Sequence, residues 1–402
     1  MLTRVPVKPE LLRWACERAG KLESALAERF SGLADWLTGA KSPTVRQLEE
    51  FAKATRAPFG FFFLPEPPVE SIPIPDFRTD GSKRIKHPSP DLLDTIYLCQ
   101  QRQDWYRQNA LLLGEAPLDF VGSATLMSDI VATAARVRES VGFDLASRAE
   151  AATFVDALRG MIDMADKAGV LVMLSGIVGH NSHRPLDTAE FRGFALIDPA
   201  PHFAPLIFIN GTDTKSGQMF TLAHELAHLW LGESGVSDVT PASSLPDRAG
   251  GMSVERWCNA VAAEMLVPLD GFRQAYNRRA ELRSEMQRLS RQYKVSTLVI
   301  LRRMLDAGGL SRDAFQVAFD DELKRLRAAL ARKKEASSGG DYYATTSVRV
   351  SERFARAVLA STWEGRSTFT EAFRLIGCRN VKTLESLGDR LGMADYLRGG
   401  AV

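Results

Sequence analysis

Along residues 9–63 apolar positions recur every three or four residues: Leu11, Leu12 and Ala15, then Leu22 to Phe30, then Leu48, Phe51 and Ala52 within Thr44 to Thr55. That period predicts short helices, with Pro43-Thr44 as a helix start and Glu50 and Arg56 on polar faces. After Phe59 to Leu64, the passage Pro65 to Pro75 cannot continue a helix and predicts a stiff linker, with a boundary near 66–80. Residues 91–170 return to the helical period. The pattern then shortens: Gly169 to Leu174, Phe191 to Asp198 and Ala204 to Asn210 are apolar runs bounded by Gly, Pro, Asn and Asp. They predict three strands of one small sheet. Met219 to Leu231 and Val254 to Val267 predict two helices, the second stopped before Pro268. Two or three further helices are expected over 279–306, a flexible link at Ala336 to Gly340, and a small helical domain over 347–397. The fold class is therefore α+β and mostly helical, with a small three- or four-stranded sheet flanked by helical modules. The expected division is 1–65, a linker 66–90, a central domain 91–310, a basic helix and Ser/Gly link 311–340, and a C-terminal domain 341–402.

Composition narrows this only slightly. A chain of 402 residues suggests two or three domains, and 45% hydrophobic with 25% charged residues excludes wholesale disorder. The net charge of +2 selects no partner class, although a local basic face remains compatible with nucleic acid. Cys16, Cys99, Cys258 and Cys378 lie far apart without a CxxC pair, which reads as reduced thiols and not as a disulfide frame or a cysteine zinc site. No run approaches the roughly 20 apolar residues of a spanning helix, and the first 30 residues are too charged for a signal peptide. A cytoplasmic protein without membrane contact is expected; the oligomeric state is left open.

The helix pattern at Phe220-Thr-Leu-Ala-His-Glu-Leu-Ala-His-Leu-Trp-Leu contains HExxH. Residues four apart share a helix face, so His224 and His228 can reach one metal ion. Glu225 lies one step round, where it can take a proton from water without itself being a ligand. The remaining faces carry Leu222, Ala223, Leu226, Ala227 and Leu229, which suits a buried helix behind such a site. The bland alternative is two unrelated histidines on one helix.

A catalytic zinc also needs a third protein ligand and one open position. No third histidine follows in HExxHxxGxxH spacing, so a carboxylate must serve: Glu233, Asp238, Asp247, Glu255 or Glu264. Glu255 opens a helix on which Asn259 and Ala262 share its face, and small residues there let two helices approach. Glu264 is about half a turn round and should point away as a surface charge. Glu255 is thus the expected ligand, against a reading as a helix-start charge favoured by the dipole. Asn259 is the expected partner that orients the ligands from behind, or else a cap. Zinc is the expected ion, with manganese as the alternative.

The stretch 190–268 resembles the ImmA/IrrE family of zinc metallopeptidases. The resemblance rests on three blocks in order: Glu190 to Phe194 with Pro205 to Asn210, the HExxH helix, and Glu255 to Pro268. It implies a zincin-like core in which His224, His228 and Glu255 hold zinc and Glu225 is the general base. It also implies a regulatory protease whose protein substrate is a helix-turn-helix repressor, acting in transcription regulation and stress response. A substrate segment is expected to pair with a sheet edge, and 191–198 is the candidate edge.

The N-terminal segment resembles the helix-turn-helix domain of phage-repressor (XRE) type, at Leu26-Ala27, Trp36 to Gly39, Pro43-Thr44 and Leu48 to Ala52. Only Arg29 supplies positive charge between Ala27 and Trp36, so a degenerate domain that binds a protein partner stands beside the DNA-binding reading. A second helix–turn–helix pattern at 287–305 offers Arg291, Lys294, Arg302 and Arg303 for phosphate contacts, against a solvated basic face. A further basic run spans 322–334. His180, His202 and Tyr276 are candidates to stabilise an oxyanion, with loop or packing roles as the alternative. Phe59 to Phe63 reads as core, and Cys258 is not taken as a ligand. The competing class is a DNA- or partner-binding, antitoxin-like regulator with a structural or vestigial metal site; intact Glu225 speaks for the enzyme.

Overall fold

The computed structural model describes residues 3–20, 22–77, 88–237, 252–336 and 349–394. The chain divides into two compact units, residues 1–73 with 84–97, and residues 74–83 with 98–402.

The first unit is helical: α1 (Pro9–Arg18), α2 (Glu23–Arg29), α3 (Leu33–Thr38) and α4 (Val45–Thr55), followed by a tight turn at Phe59–Phe63. Thr44 starts α4 with a reciprocal cap, accepting from the Gln47 amide at 3.2 Å while Gln47 Oε1 accepts from the Thr44 amide at 2.8 Å. Leu11, Leu12, Leu33, Trp36, Leu48, Phe51 and Phe62 close one small core. Trp36, Leu33 and Leu37 are turned inward on α3, so its surface is left to Ala34, Asp35 and Thr38, none of them a cation. Arg18 clamps Glu70 with two bonds of 2.5 and 2.8 Å, which fixes the beginning of the proline-rich passage to this unit. Helix α5 (Pro90–Leu113) starts in the first unit and ends in the second.

In the second unit α6 (Ile130–Val141), α7 (Leu145–Glu150) and α8 (Phe154–Lys167) precede β1 (Leu171–Ser175), β2 (Gly193–Leu196) and β3 (Leu206–Asn210). Then come α9 (Lys215–Leu231), β4 (Gly235–Ser237), α10 (Val254–Leu266), α11 (Leu269–Ala275), α12 (Leu282–Tyr293), α13 (Thr297–Asp306) and α14 (Arg312–Ala336). Helices at Glu352–Trp363 and Val381–Arg390 form the C-terminal part. The result is a mostly helical α+β fold, as the apolar periods predict.

The sheet has the order β1-β3-β2-β4, with β1 parallel to β3 and β2 antiparallel to both β3 and β4. Alternate residues face opposite ways along each strand. Val172, Leu174, Ala195, Ile207 and Ile209 join the main core with α8, α9 and α10. Phe194 and Phe208 stack at 5.0 Å, while Met173 meets Arg102 of α5. The order corrects one expectation: 191–198 contains an interior strand, hydrogen-bonded on both sides, and the edges are β1 and β4. Local pattern could not show this, because β4 is three residues long and carries no alternation of its own.

Two further expectations are corrected in the helical layer. Glu264 does point away from Glu255, but it is 6% exposed and not a surface charge. Arg303, expected at phosphate, is buried with it and donates to Glu264 Oε2 at 2.9 Å. Helix α10 is covered on nearly every side, so its far face meets protein instead of water. Removing one partner of such a pair strands the other charge. Arg303→Met is therefore expected to lower unfolding free energy by about 3–5 kcal/mol in a urea titration, and Glu264→Gln added to it should recover part of that loss. An Arg303→Met change under 1 kcal/mol would contradict the burial argument. Arg291 is exposed, Lys294 is half-buried and ends α12 with φ 49°, and Arg302 pairs with Asp306 at 2.9 Å. Two of the four cations are thus held in ion pairs with carboxylates.

Candidate metal centre

Helix α9 brings the histidines in. Thr214 starts it, its side chain accepting from the Gly217 amide, and Gly232 stops it in the left-handed conformation at φ 74°. Every residue from Gln218 to Trp230 is buried, so the helix runs through the core and not along its surface. Ser253 starts α10 in the same way, accepting from the Arg256 amide. Cys258, Val261, Ala262 and Met265 join the core that α10 shares with α9, and the small Ala262 lets the two helices run close together.

The structure brings His224, His228 and Glu255 to one point, with one ligand-type atom of each within 4.8 Å of the others. The two Nε2 atoms are 3.1 Å apart, and Glu255 reaches His228 Nε2 at 3.1 Å and His224 Nε2 at 3.4 Å. Among the described residues this is the group of His, Cys, Asp and Glu side chains arranged to hold a metal ion. Behind it, His224 Nδ1 donates to Asn259 Oδ1 at 3.1 Å, which turns Nε2 toward the cluster. Burial alone would raise Glu255, but His224 and His228 outweigh it and hold the carboxyl far below the usual range. Burial lowers His228; at His224 burial pulls the same way, but the Glu255 charge and hydrogen bond outweigh it and raise the imidazole.

Glu225 is fully buried beside the cluster, and neither carboxylate oxygen accepts a well-formed hydrogen bond, the nearby Ser237 hydroxyl making only a weak approach that lowers the carboxyl slightly. Burial pushes it up to about 8, with His224 pulling the other way. A buried carboxylate so poorly satisfied costs free energy, and native proteins keep one where something else completes it. Together with a donor set of two imidazoles and one carboxylate, which is that of catalytic zinc, these residues fit the ion.

Ser237 was not marked by any motif. Its hydroxyl lies 3.5 Å from both His228 Nε2 and Glu255 Oε1, delivered by β4. Only the pairing of β4 with β2 puts it there. Of the other carboxylate candidates, Glu233 is exposed after the end of α9, and Asp238 and Asp247 lie outside the described residues. His202 Nδ1 donates to the Asp198 carbonyl at 2.7 Å, and His180 packs on Gly377. Tyr276 packs on Phe272 and Gly309. None of these three joins the cluster. Cys258 is buried and its thiol is pushed well up by burial, so it stays protonated.

A small mixed sheet backed by a buried HExxH helix, with a carboxylate supplied by the next helix, defines a metallopeptidase-type, zincin-like domain. Residues 165–305 match the family model of the M78 peptidases, described as the IrrE N-terminal-like domain, so this part of the chain is similar to the ImmA/IrrE family. Residues 350–390 match a domain of unknown function, DUF8813. No curated protein matches the chain. No helix among the described residues is long and apolar enough to cross a membrane.

Asn259→Ala should weaken zinc binding about 10–100-fold, read by competition with a chromophoric chelator, with little change in fold. Equal affinity in the variant would reduce Asn259 to a space-filling role.

Proposed function

We propose that the protein is a zinc-dependent endopeptidase of regulatory type, cutting one or a few partner proteins, of which a helix-turn-helix repressor is the leading candidate. The observation that carries this reading is the buried Glu225 carboxylate, without a well-formed hydrogen bond, beside the His224–His228–Glu255 cluster. A structural metal site has no use for a buried base next to it; hydrolysis does.

His224, His228 and Glu255 would hold the ion, and Asn259 would fix the ring of His224. Zinc held there supplies Lewis-acid chemistry, acidifying water and polarising the scissile carbonyl. Glu225 would take the proton from water and hand it to the leaving amine, with one carboxylate serving as base and then acid. Manganese is the alternative ion. The four cysteines are free and buried, which supports a reducing compartment, and we place the protein in the cytoplasm. The surface of α3 and the scattered cations of α12 and α13 give the DNA-binding reading no support.

The test is a search for new protein N-termini. Lysate of the producing organism, incubated with zinc-loaded protein, should yield a small set of new N-termini that disappears with chelator and returns with zinc. A lysate without zinc-dependent new N-termini would remove the peptidase reading.

A further inference from the structure

We propose that the outer edge of β4 is the groove for a substrate strand, and that this chain's own Pro75–Phe77 occupies it as a built-in competitor. In this arrangement Phe77 fills an aromatic subsite opened by Gly235. The inference rests on the peptidase reading for what the groove serves, and on direct contacts for what fills it.

One side of β4 pairs antiparallel with β2, Val236 opposite Phe194. The other side would be an open edge, with main-chain donors and acceptors ready for a strand. Here it is taken. The Val236 amide donates to the Pro75 carbonyl at 3.0 Å, the Phe77 amide donates to the Val236 carbonyl at 3.0 Å, and Asp76 lies opposite Val236 in parallel register. The next residue of β4 is Ser237, whose hydroxyl touches His228 and Glu255, so the occupied edge leads directly to the cluster.

The side chain closes what the backbone begins. The Phe77 ring stacks on the imidazole of His228, centroids 5.5 Å apart and planes 23° apart. A Cβ on Gly235 would lie 2.2 Å from that ring, so the space for an aromatic exists because residue 235 is glycine. His224, Glu225 and His228 are each 0% exposed. A peptidase centre must admit a peptide, and in this state the ring stands over one of its histidines.

Three residues and two main-chain hydrogen bonds are a weak ligand by themselves. Tethering changes that, because a segment of the same chain competes at an effective concentration in the millimolar range. A contact this small also remains displaceable by a longer or better-fitting strand. The segment therefore sets a threshold for substrates and shows what one subsite accepts: an aromatic side chain beside His228. An edge-covering strap with only a structural role would protect β4 equally well, but it would not hide a peptide-binding groove.

The experiment uses the full chain carrying Glu225→Gln, loaded with zinc so that binding is read without turnover. The probe is a fluorescent synthetic peptide of residues Ser71 to Phe77. Adding Phe77→Ala should tighten peptide binding at least about tenfold, since loss of an aromatic anchor releases the groove. Gly235→Ala should displace the ring without altering position 77. Both variants should speed hydrogen exchange at the Val236 amide, while Gly235→Ala combined with Phe77→Ala should cancel the gain in peptide binding. Equal peptide affinity with and without Phe77→Ala, or a gain that survives Gly235→Ala, would overturn the proposal. So would cleavage of the zinc-loaded wild-type chain next to Phe77, which would make the segment a substrate. Tightened binding in a protein that yields no zinc-dependent new N-termini would keep the groove and remove the peptidase; new N-termini without tightened binding would do the reverse.

Discussion

Glu225→Gln is expected to lower the cleavage rate about 10²–10⁴-fold while zinc binds as in the wild type. The amide keeps the shape of the carboxylate but cannot accept a proton, so the loss should fall on the chemical step and not on substrate affinity. Because the wild-type carboxylate is buried without a well-formed hydrogen bond, the variant should fold at least as stably in a urea titration. Elemental analysis would establish one zinc per chain in both proteins, and the rate would be read on a partner identified by its new N-terminus. Retention of more than a tenth of the wild-type rate would assign the base elsewhere. Loss of zinc together with activity would instead give Glu225 a role in holding the cluster.

Glu255→Ala is expected to weaken zinc binding by about two to three orders of magnitude. Structural zinc sites release roughly 10–16 kcal/mol through four ligands, or about 3 kcal/mol for each, and every 1.4 kcal/mol is a factor of ten. The readout need not be activity. Zinc that binds the folded state raises the unfolding midpoint by mass action, so wild-type protein should melt at a higher temperature with micromolar zinc and the variant should not. His228→Ala should behave in the same way. Without zinc, Glu255→Ala should leave His224 without the charge that raises it. A zinc-dependent rise of equal size in the variant would show that another carboxylate is the third ligand.

Much of the centre is legible in the sequence. HExxH on an apolar helix is a local pattern: four residues of spacing put two imidazoles on one face, and the surrounding Leu and Ala place that helix in a core. Glu255 and Asn259 were legible for a related reason, being one turn apart on a helix with small residues. The fate of Glu264 was not legible, although its direction was. Half a turn separates it from Glu255, but whether that side meets water or Arg303 depends on α13, about forty residues later in the chain.

The strand edge differs from the sequence expectation for the same kind of reason. Residues 191–198 have the stronger β pattern, yet pattern reports burial and not neighbours, and a well-patterned strand is often an interior one. The true edge, Gly235-Val236-Ser237, is too short for a period to register. Pro75-Asp76-Phe77 sat inside a run whose prolines announce only that a helix cannot continue.

By itself, then, the sequence determined the helical and strand periods, the two histidines and their glutamate, and the helix that carries the expected third ligand. These follow from spacing within a single element, where backbone geometry converts sequence distance into direction. Only the tertiary structure decided which strand is the edge, that Ser237 joins the cluster, that Arg303 is buried with Glu264, and that Phe77 stands over His228. Each of these is a meeting between elements distant in the chain, and such meetings are set by packing and hydrogen-bond pairing across the fold, which no local period encodes.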